Sequence, residues 1–305
     1  MKFGKAKQQD VSSIDFELPP DSERNKKVLN KKVKKQAEVY VGCAKWGRPE
    51  WKGFLYPAKT KATDFLNEYA KHFNSIELNA AYYKIPTVES TRKWTQIAAD
   101  NAKAKFLFCP KFPVTISHYK KLKGAEKITD EFLTSVLEFG DSLGPCLLQM
   151  SNSFAPKSLK DLGDFLESLP KDLRVFTELR NEKWYSDPES HREVFELYAR
   201  LKQGAVITDV TGRRDLLHME LTVPEVFIRF NGMGAALRDT DFKRIDAWAE
   251  RLRDWQDKGL KKVYFFLHQD DELESVRMAA YAIKAFNETL GSQIPEIQLQ
   301  QSPNI

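Results

Sequence analysis

From residue 38 onward the chain alternates between short β-rich runs and longer amphipathic stretches, and this rhythm limits the folds open to it. The β-rich runs are VYVGCA (39–44), SIELN (75–79), KFLFCPK (105–111), CLLQMS (146–151), RVFTELR (174–180), GAVITDV (204–210), VFIRFNG (226–232) and KVYFFLHQ (262–269). Helical patterns follow most of them; in LKDLGDFLESL, Leu159, Leu162, Phe165, Leu166 and Leu169 keep the 3.6-residue period. Eight strands and seven helices in alternation, over about 255 residues, predict an α/β chain folded as a (β/α)8 TIM-type barrel. An open doubly wound sheet shares the local pattern, but no G-x-G-x-x-G or Walker A sequence follows any strand. The expected organisation is a basic N-terminal extension over 1–36, flexible or partly helical, a single barrel domain over 37–292 and a tail over 293–305. TGRRDLLHMELTVPE, after the sixth run, lacks a helical pattern and is expected to be a loop on the functional rim.

The 42% hydrophobic content suffices for a large core, and no apolar run approaches the ~18 residues of a membrane span. Cys43, Cys109 and Cys146 are odd in number and lie inside strand-like runs, so they read as reduced core thiols of a cytoplasmic protein. The net charge of +5 is localised: residues 1–36 carry 10 Lys/Arg against 5 Asp/Glu, and the remainder is neutral. The excess lies mostly in RNKKVLNKKVKKQ (24–36), which reads as a solvated tail or frayed N-terminal helix, with contact to a nucleic-acid backbone or a membrane surface as the alternative.

Side chains alternate faces along a strand, so Phe176, Glu178 and Arg180 share one face of RVFTELR. The other runs repeat the pattern, ending in Glu77 and Asn79, Lys111, Gln149, Asp209, Arg229 and Asn231, and His268. Apolar residues precede several of these on the same face: Cys109 before Lys111, Phe227 before Arg229, Phe266 before His268. An apolar floor capped by a polar ring is the expected site, at the C-terminal ends of the strands. Glu–Arg pairs that merely satisfy one another are the structural alternative. Trp46, Tyr83 and Trp184 lie just past strand ends, where aromatics can floor a substrate site, and His118 lies on the same rim after the third run.

At these residues the sequence resembles the YecE-like family, domain of unknown function 72, whose members are (β/α)8 barrels without an established reaction. The pieces that carry the resemblance are WKGFLYP (51–57), IELNAAYYKIP (76–86), KFPVTISH (111–118), LLQMSNSF (147–154), ELRNEKW (178–184), FIRFNG (227–232) and VYFFLHQ (263–269). By that resemblance Trp51, Glu77, Asn79, Tyr83, Lys111, His118, Gln149, Glu178, Arg180, Trp184 and Arg229 occupy motif positions. The family's seventh strand ends Arg-x-His-Gly and its eighth Phe-Asn-Asn. Here they end in Arg229-Phe230-Asn231-Gly232 and Leu267-His268-Gln269, and this exchange implies that Asn231 and His268 face one another across the site.

This residue set suits an enzyme acting on a small anionic, hydroxyl-rich substrate such as a phosphorylated sugar. Lys111, Arg180 and Arg229 would hold the anion, with Asn79, Gln149, Asn231, Tyr83, Trp46 and Trp184 around the substrate. Glu77 or Glu178 would serve as acid or base, with His268 or His118 as the second proton carrier in an isomerisation, epimerisation or hydrolysis. No cofactor is expected; a divalent metal on Glu77, Glu178, Asp209 and His268 is the variant. A nucleic-acid barrel using the basic extension and a non-catalytic binding barrel are the competing classes.

Overall fold

The computed structural model describes residues 4, 11, 13–30, 35–269 and 271–300. The eight β-rich runs form strands β1 (Glu38–Cys43), β2 (Ser75–Leu78), β3 (Leu107–Pro110) and β4 (Cys146–Gln149). They continue as β5 (Val175–Glu178), β6 (Gly204–Asp209), β7 (Glu225–Asn231) and β8 (Lys262–His268). The seven expected helices form over Phe65–His72, Val88–Asn101, Glu126–Val136, Leu159–Ser168, Pro188–Leu201, Arg238–Asp257 and Glu272–Leu290. Their ends follow local chemistry. Asp187 accepts from the Ser190 amide ahead of Pro188 in the first turn, and Asp271 accepts from Leu273 and Glu274. Gly291, at φ 69°, terminates the last helix in the left-handed conformation that glycine adopts without steric cost. The loop after β6 holds only a short turn of 3-10 helix, Arg214–Leu216.

The closed (β/α)8 TIM-type barrel predicted from the alternation is not formed. The strands split into a six-stranded parallel sheet, ordered β1-β8-β7-β6-β5-β4, and a separate parallel pair, β2-β3. Two seams interrupt the ladder. Between β1 and β2, side chains replace backbone pairing: Asn74 accepts from the Val41 amide and donates to the Val39 carbonyl, each at 2.8 Å. The Tyr69 hydroxyl accepts from Cys43 N–H and donates to the Ser75 carbonyl, also at 2.8 Å. Gly42 makes this approach possible, since a Cβ there would lie 2.1 Å from the Ser75 oxygen. Between β3 and β4 there are isolated bridges, Phe108 with Leu143 and Lys111 with Leu147, in place of a continuous ladder.

The strands separate two apolar regions. The larger core lies between strands and helices; for example Leu162, Phe165 and Leu166 bury one face of Leu159–Ser168, and a fully buried side chain of this size contributes about 1.5–3 kcal/mol. The second cluster fills the space on the inner side of the strands of both sheets with Tyr40, Leu107, Cys109, Leu147, Phe176, Val206, Phe227, Tyr264 and Phe266. The N-terminal segment lies against the outside. Asn25 donates to the Met219 carbonyl and accepts from the Leu221 amide, Arg24 pairs with Glu220, and Asp21 accepts from Arg251 and Trp255. Of the basic stretch 24–36, residues 31–34 lie outside the described residues. Among the described residues no helix is long and apolar enough to cross a membrane, and the three cysteines are buried and free.

Candidate functional site

Five residues of the polar ring stand two positions beyond members of the inner apolar cluster: Lys111 after Cys109, Gln149 after Leu147, Glu178 after Phe176, Arg229 after Phe227 and His268 after Phe266. Glu77 follows Ser75, whose hydroxyl touches the Cys109 thiol from the neighbouring strand. The period of two therefore delivers six polar side chains to one level directly above an apolar floor.

Arg229 is the centre of this level. Its Nε and Nη2 donate to Glu77 Oε2 and Oε1 at 2.8 and 3.0 Å, and its Nη1 donates to Glu178 Oε2 at 2.6 Å. Glu77 is fully buried and also accepts from Asn79 Nδ2 at 2.9 Å and faces His268 Nε2 at 3.0 Å. Glu178 accepts in addition from Gln149 Nε2 at 2.8 Å and Arg180 Nε at 2.6 Å. The Gln149 amide is thereby oriented, and its Oε1 accepts from Lys111 Nζ at 2.8 Å. Lys111 also lies 4.2 Å over the Tyr82 ring.

Electrostatics follows from these contacts. Burial alone would raise both carboxylates, but Arg229 and His268 hold Glu77 well below the usual range. Arg180 and Arg229 likewise outweigh burial at Glu178 and bring it to about 2. Lys111 moves the other way: burial, reinforced by Arg229, lowers its ammonium to about 7 despite the opposing pull of Glu77 and Glu178. Burial also lowers His268 and His118. The carboxylates are thus ionised near neutrality while the imidazoles are neutral.

A cavity of about 260 Å³ opens over this network, lined by Asn79, Tyr83, Lys111, Gln149, Arg180, Arg229 and His268 of the expected set. It is also lined by Lys45, Arg48 and Glu272, which reading strand ends alone missed because they lie in the loop after β1 and at the start of the last helix. Arg48 and Glu272 pair at 2.7 Å. Tyr83 is 77% exposed at the rim, whereas Glu77 and Glu178 form the buried layer beneath the lining. His118 sits beside the site, its ring edge-on to Tyr82 and its Nδ1 2.9 Å from the Ser117 hydroxyl.

Other expected residues lie elsewhere. Trp184 is buried and donates to the Phe154 carbonyl, and Trp46 packs edge-on against Trp94. Asn231 is the register partner of His268 on the adjacent strand, so the two are neighbours rather than opposite one another, and His268 turns to Glu77 instead. Asp209 belongs to a separate buried cluster, bound by Arg214, Arg244 and the Trp248 indole. The four ligands of the metal variant are therefore not brought together: guanidinium groups occupy the carboxylates, and no metal-holding group of three appears among the described residues.

Residues 40–301 match the model of the family described as protein of unknown function DUF72. The chain belongs to the DUF72 family. It is 27% identical over 277 residues to the UPF0759 protein YecE of Escherichia coli K12, covering 85% of this chain and 95% of YecE. The UPF0759 protein YunF of Bacillus subtilis 168 is 25% identical over 159 residues, 49% of this chain and 53% of YunF. Among solved structures, a DUF72 family protein from Enterococcus faecalis V583 is similar at TM-score 0.64 and 21% identity, over 86% of this chain and 99% of that one. Another from Thermotoga maritima MSB8 is similar at TM-score 0.61 and 23% identity, over 84% and 100%. DUF72 membership brings a shared fold and no assigned chemistry.

Proposed function

We propose that this DUF72 protein is an enzyme acting on a small anionic, hydroxyl-rich molecule of the phosphorylated-sugar type, by acid/base chemistry at the cavity above Arg229. The observation that carries the reading is a neutral imidazole braced by a buried, ionised carboxylate, His268 on Glu77, at the wall of a cavity that Lys45 and Arg180 also line. An ionised Glu77 accepts, so His268 donates from Nε2 and keeps Nδ1 as the base. Glu77 and Glu178 then act as the carboxylate pair of the site: Glu77 orients His268 and strengthens it as a base, and Glu178 fixes Arg180 and Gln149. Arg180 and Lys45 supply the attraction for the anion, with Arg229 neutralising the carboxylates beneath it.

The reading is tested by melting the protein against sugar phosphates, inorganic phosphate and short oligonucleotides, then incubating any binder in D2O. A ligand at 100 times its dissociation constant adds about 2.7 kcal/mol to stability. The expected result is a stabilising phosphosugar, weakened by Arg180→Ala, that exchanges or isomerises with the native protein and not with His268→Asn. Stabilisation by oligonucleotides alone, or a bound sugar phosphate left chemically untouched, would reject it.

A further inference from the structure

Lys111 is a charged-type side chain of this site that the acid/base reading leaves unused. It follows β3 directly, is 7% exposed, and lines the cavity. The hydrogen-bond acceptor it has is a neutral amide oxygen, Gln149 Oε1 at 2.8 Å. The amide cannot turn its other end to the lysine without giving up its own bond to Glu178. The two nearby carboxylates are occupied by Arg229, with Arg180 on Glu178, and among the described residues no ion pair to Lys111 forms within 4 Å. The second face of the amine rests on the Tyr82 ring. A buried amine next to two guanidinium groups, without a carboxylate of its own, is the arrangement that activates lysine as a nucleophile.

We propose that Lys111 bonds covalently, through a protonated imine, to the carbonyl carbon of an aldehyde or ketone that carries an anionic group. The proposal rests on the anionic-substrate reading of the same cavity and narrows the substrate to a carbonyl compound. The neutral Nζ attacks the carbonyl carbon, a C–N bond forms, and the C=O π pair moves onto oxygen, which takes a proton. The nitrogen releases a proton, the C–O bond of the carbinolamine then breaks, and the hydroxyl leaves as water with a second proton. One proton is consumed overall and no redox partner is needed. The positive imine acidifies the adjacent C–H, and His268, neutral and held by Glu77, lines the same cavity to receive that proton. The cavity of about 260 Å³ suits a short carbon chain rather than a drug-sized ligand.

The experiment treats the full chain with glyceraldehyde 3-phosphate or dihydroxyacetone phosphate, reduces with borohydride, and maps adducts by peptide mass spectrometry. Unphosphorylated dihydroxyacetone is the comparison, and competing inorganic phosphate tests the anion requirement. Near pH 7 the expected result is an adduct at Lys111 forming at least about tenfold faster than at exposed lysines such as Lys52. Its rate should level off above a midpoint near 7, the value set by burial, Arg229 and Arg180 against Glu77 and Glu178, with Tyr82, His118 and His268 as the other polar neighbours. Lys111→Met and Lys111→Arg should abolish this adduct; the wild-type map decides the question even if either variant folds poorly. Labels spread over exposed lysines with Lys111 no faster than the rest would overturn the covalent role. Stabilisation by the same sugar phosphates would then leave the acid/base reading standing, whereas loss of both would remove the two together.

Discussion

Arg229 has all three guanidinium nitrogens committed to two buried carboxylates, so its neighbours are far from interchangeable. Glu77→Gln removes one charge from a desolvated pair and should cost about 3–5 kcal/mol, measured by urea unfolding. Lys111→Met, which removes a buried amine bound to a neutral amide, should cost far less in the same assay. Equal losses for the two variants would mean that Lys111 belongs to the same obligatory charge network. The candidate site was largely legible in the sequence, because the period of two marks which residue of each strand rises above the floor. What each residue binds was not legible, since Glu77 and Arg229 are 152 positions apart and meet only because the two sheets come together around one inner face. Lys111 illustrates the gap: grouped by type it is one more cation for an anion, but its partner turns out to be uncharged.

At the scale of elements, every expected strand and helix forms, while the ring they were expected to close does not. The local signals are the same for a strand that joins a continuous ladder and for one that meets its neighbour through side chains. The β1/β2 seam depends on the Tyr69 hydroxyl, on Asn74 and on the missing side chain of Gly42. Tyr69→Phe leaves a buried amide and a carbonyl unpaired at Cys43 and Ser75 and should destabilise by about 1–3 kcal/mol in urea unfolding. Gly42→Ala should be worse, because its Cβ meets backbone at 2.1 Å and the seam itself would have to part. A Gly42→Ala protein as stable as wild type would show that the seam yields without loss.

Across the whole molecule the charged groups predict how stability varies with pH. Burial lowers His218 from 6.5 to about 4, so the unfolded chain binds more protons between those values and acid favours unfolding there. Glu178 stabilises fully above its unfolded value of 4.5 and loses that contribution as the pH falls toward about 2, with Glu77 acting in the same direction. Asp241, raised to about 6 by burial, opposes this trend over its own range. The urea midpoint should therefore drop from pH 7 to 5 and again from pH 4 to 3, and Glu178→Gln should flatten the second fall. A midpoint independent of pH below 4.5 would contradict the ion-paired state of Glu178.

The sequence by itself determined the elements, their order and the ring of polar side chains, because backbone period and hydrophobic face are local properties of a few consecutive residues. It also carried enough of the DUF72 motifs to indicate the family. Only the tertiary structure decided where the ladder breaks, which carboxylate meets which guanidinium, that Asp209 stands apart, and that Lys111 is left with an amide. Those outcomes depend on the distance of closest approach between segments far apart in the chain, and on how burial weighs charge against charge once they meet.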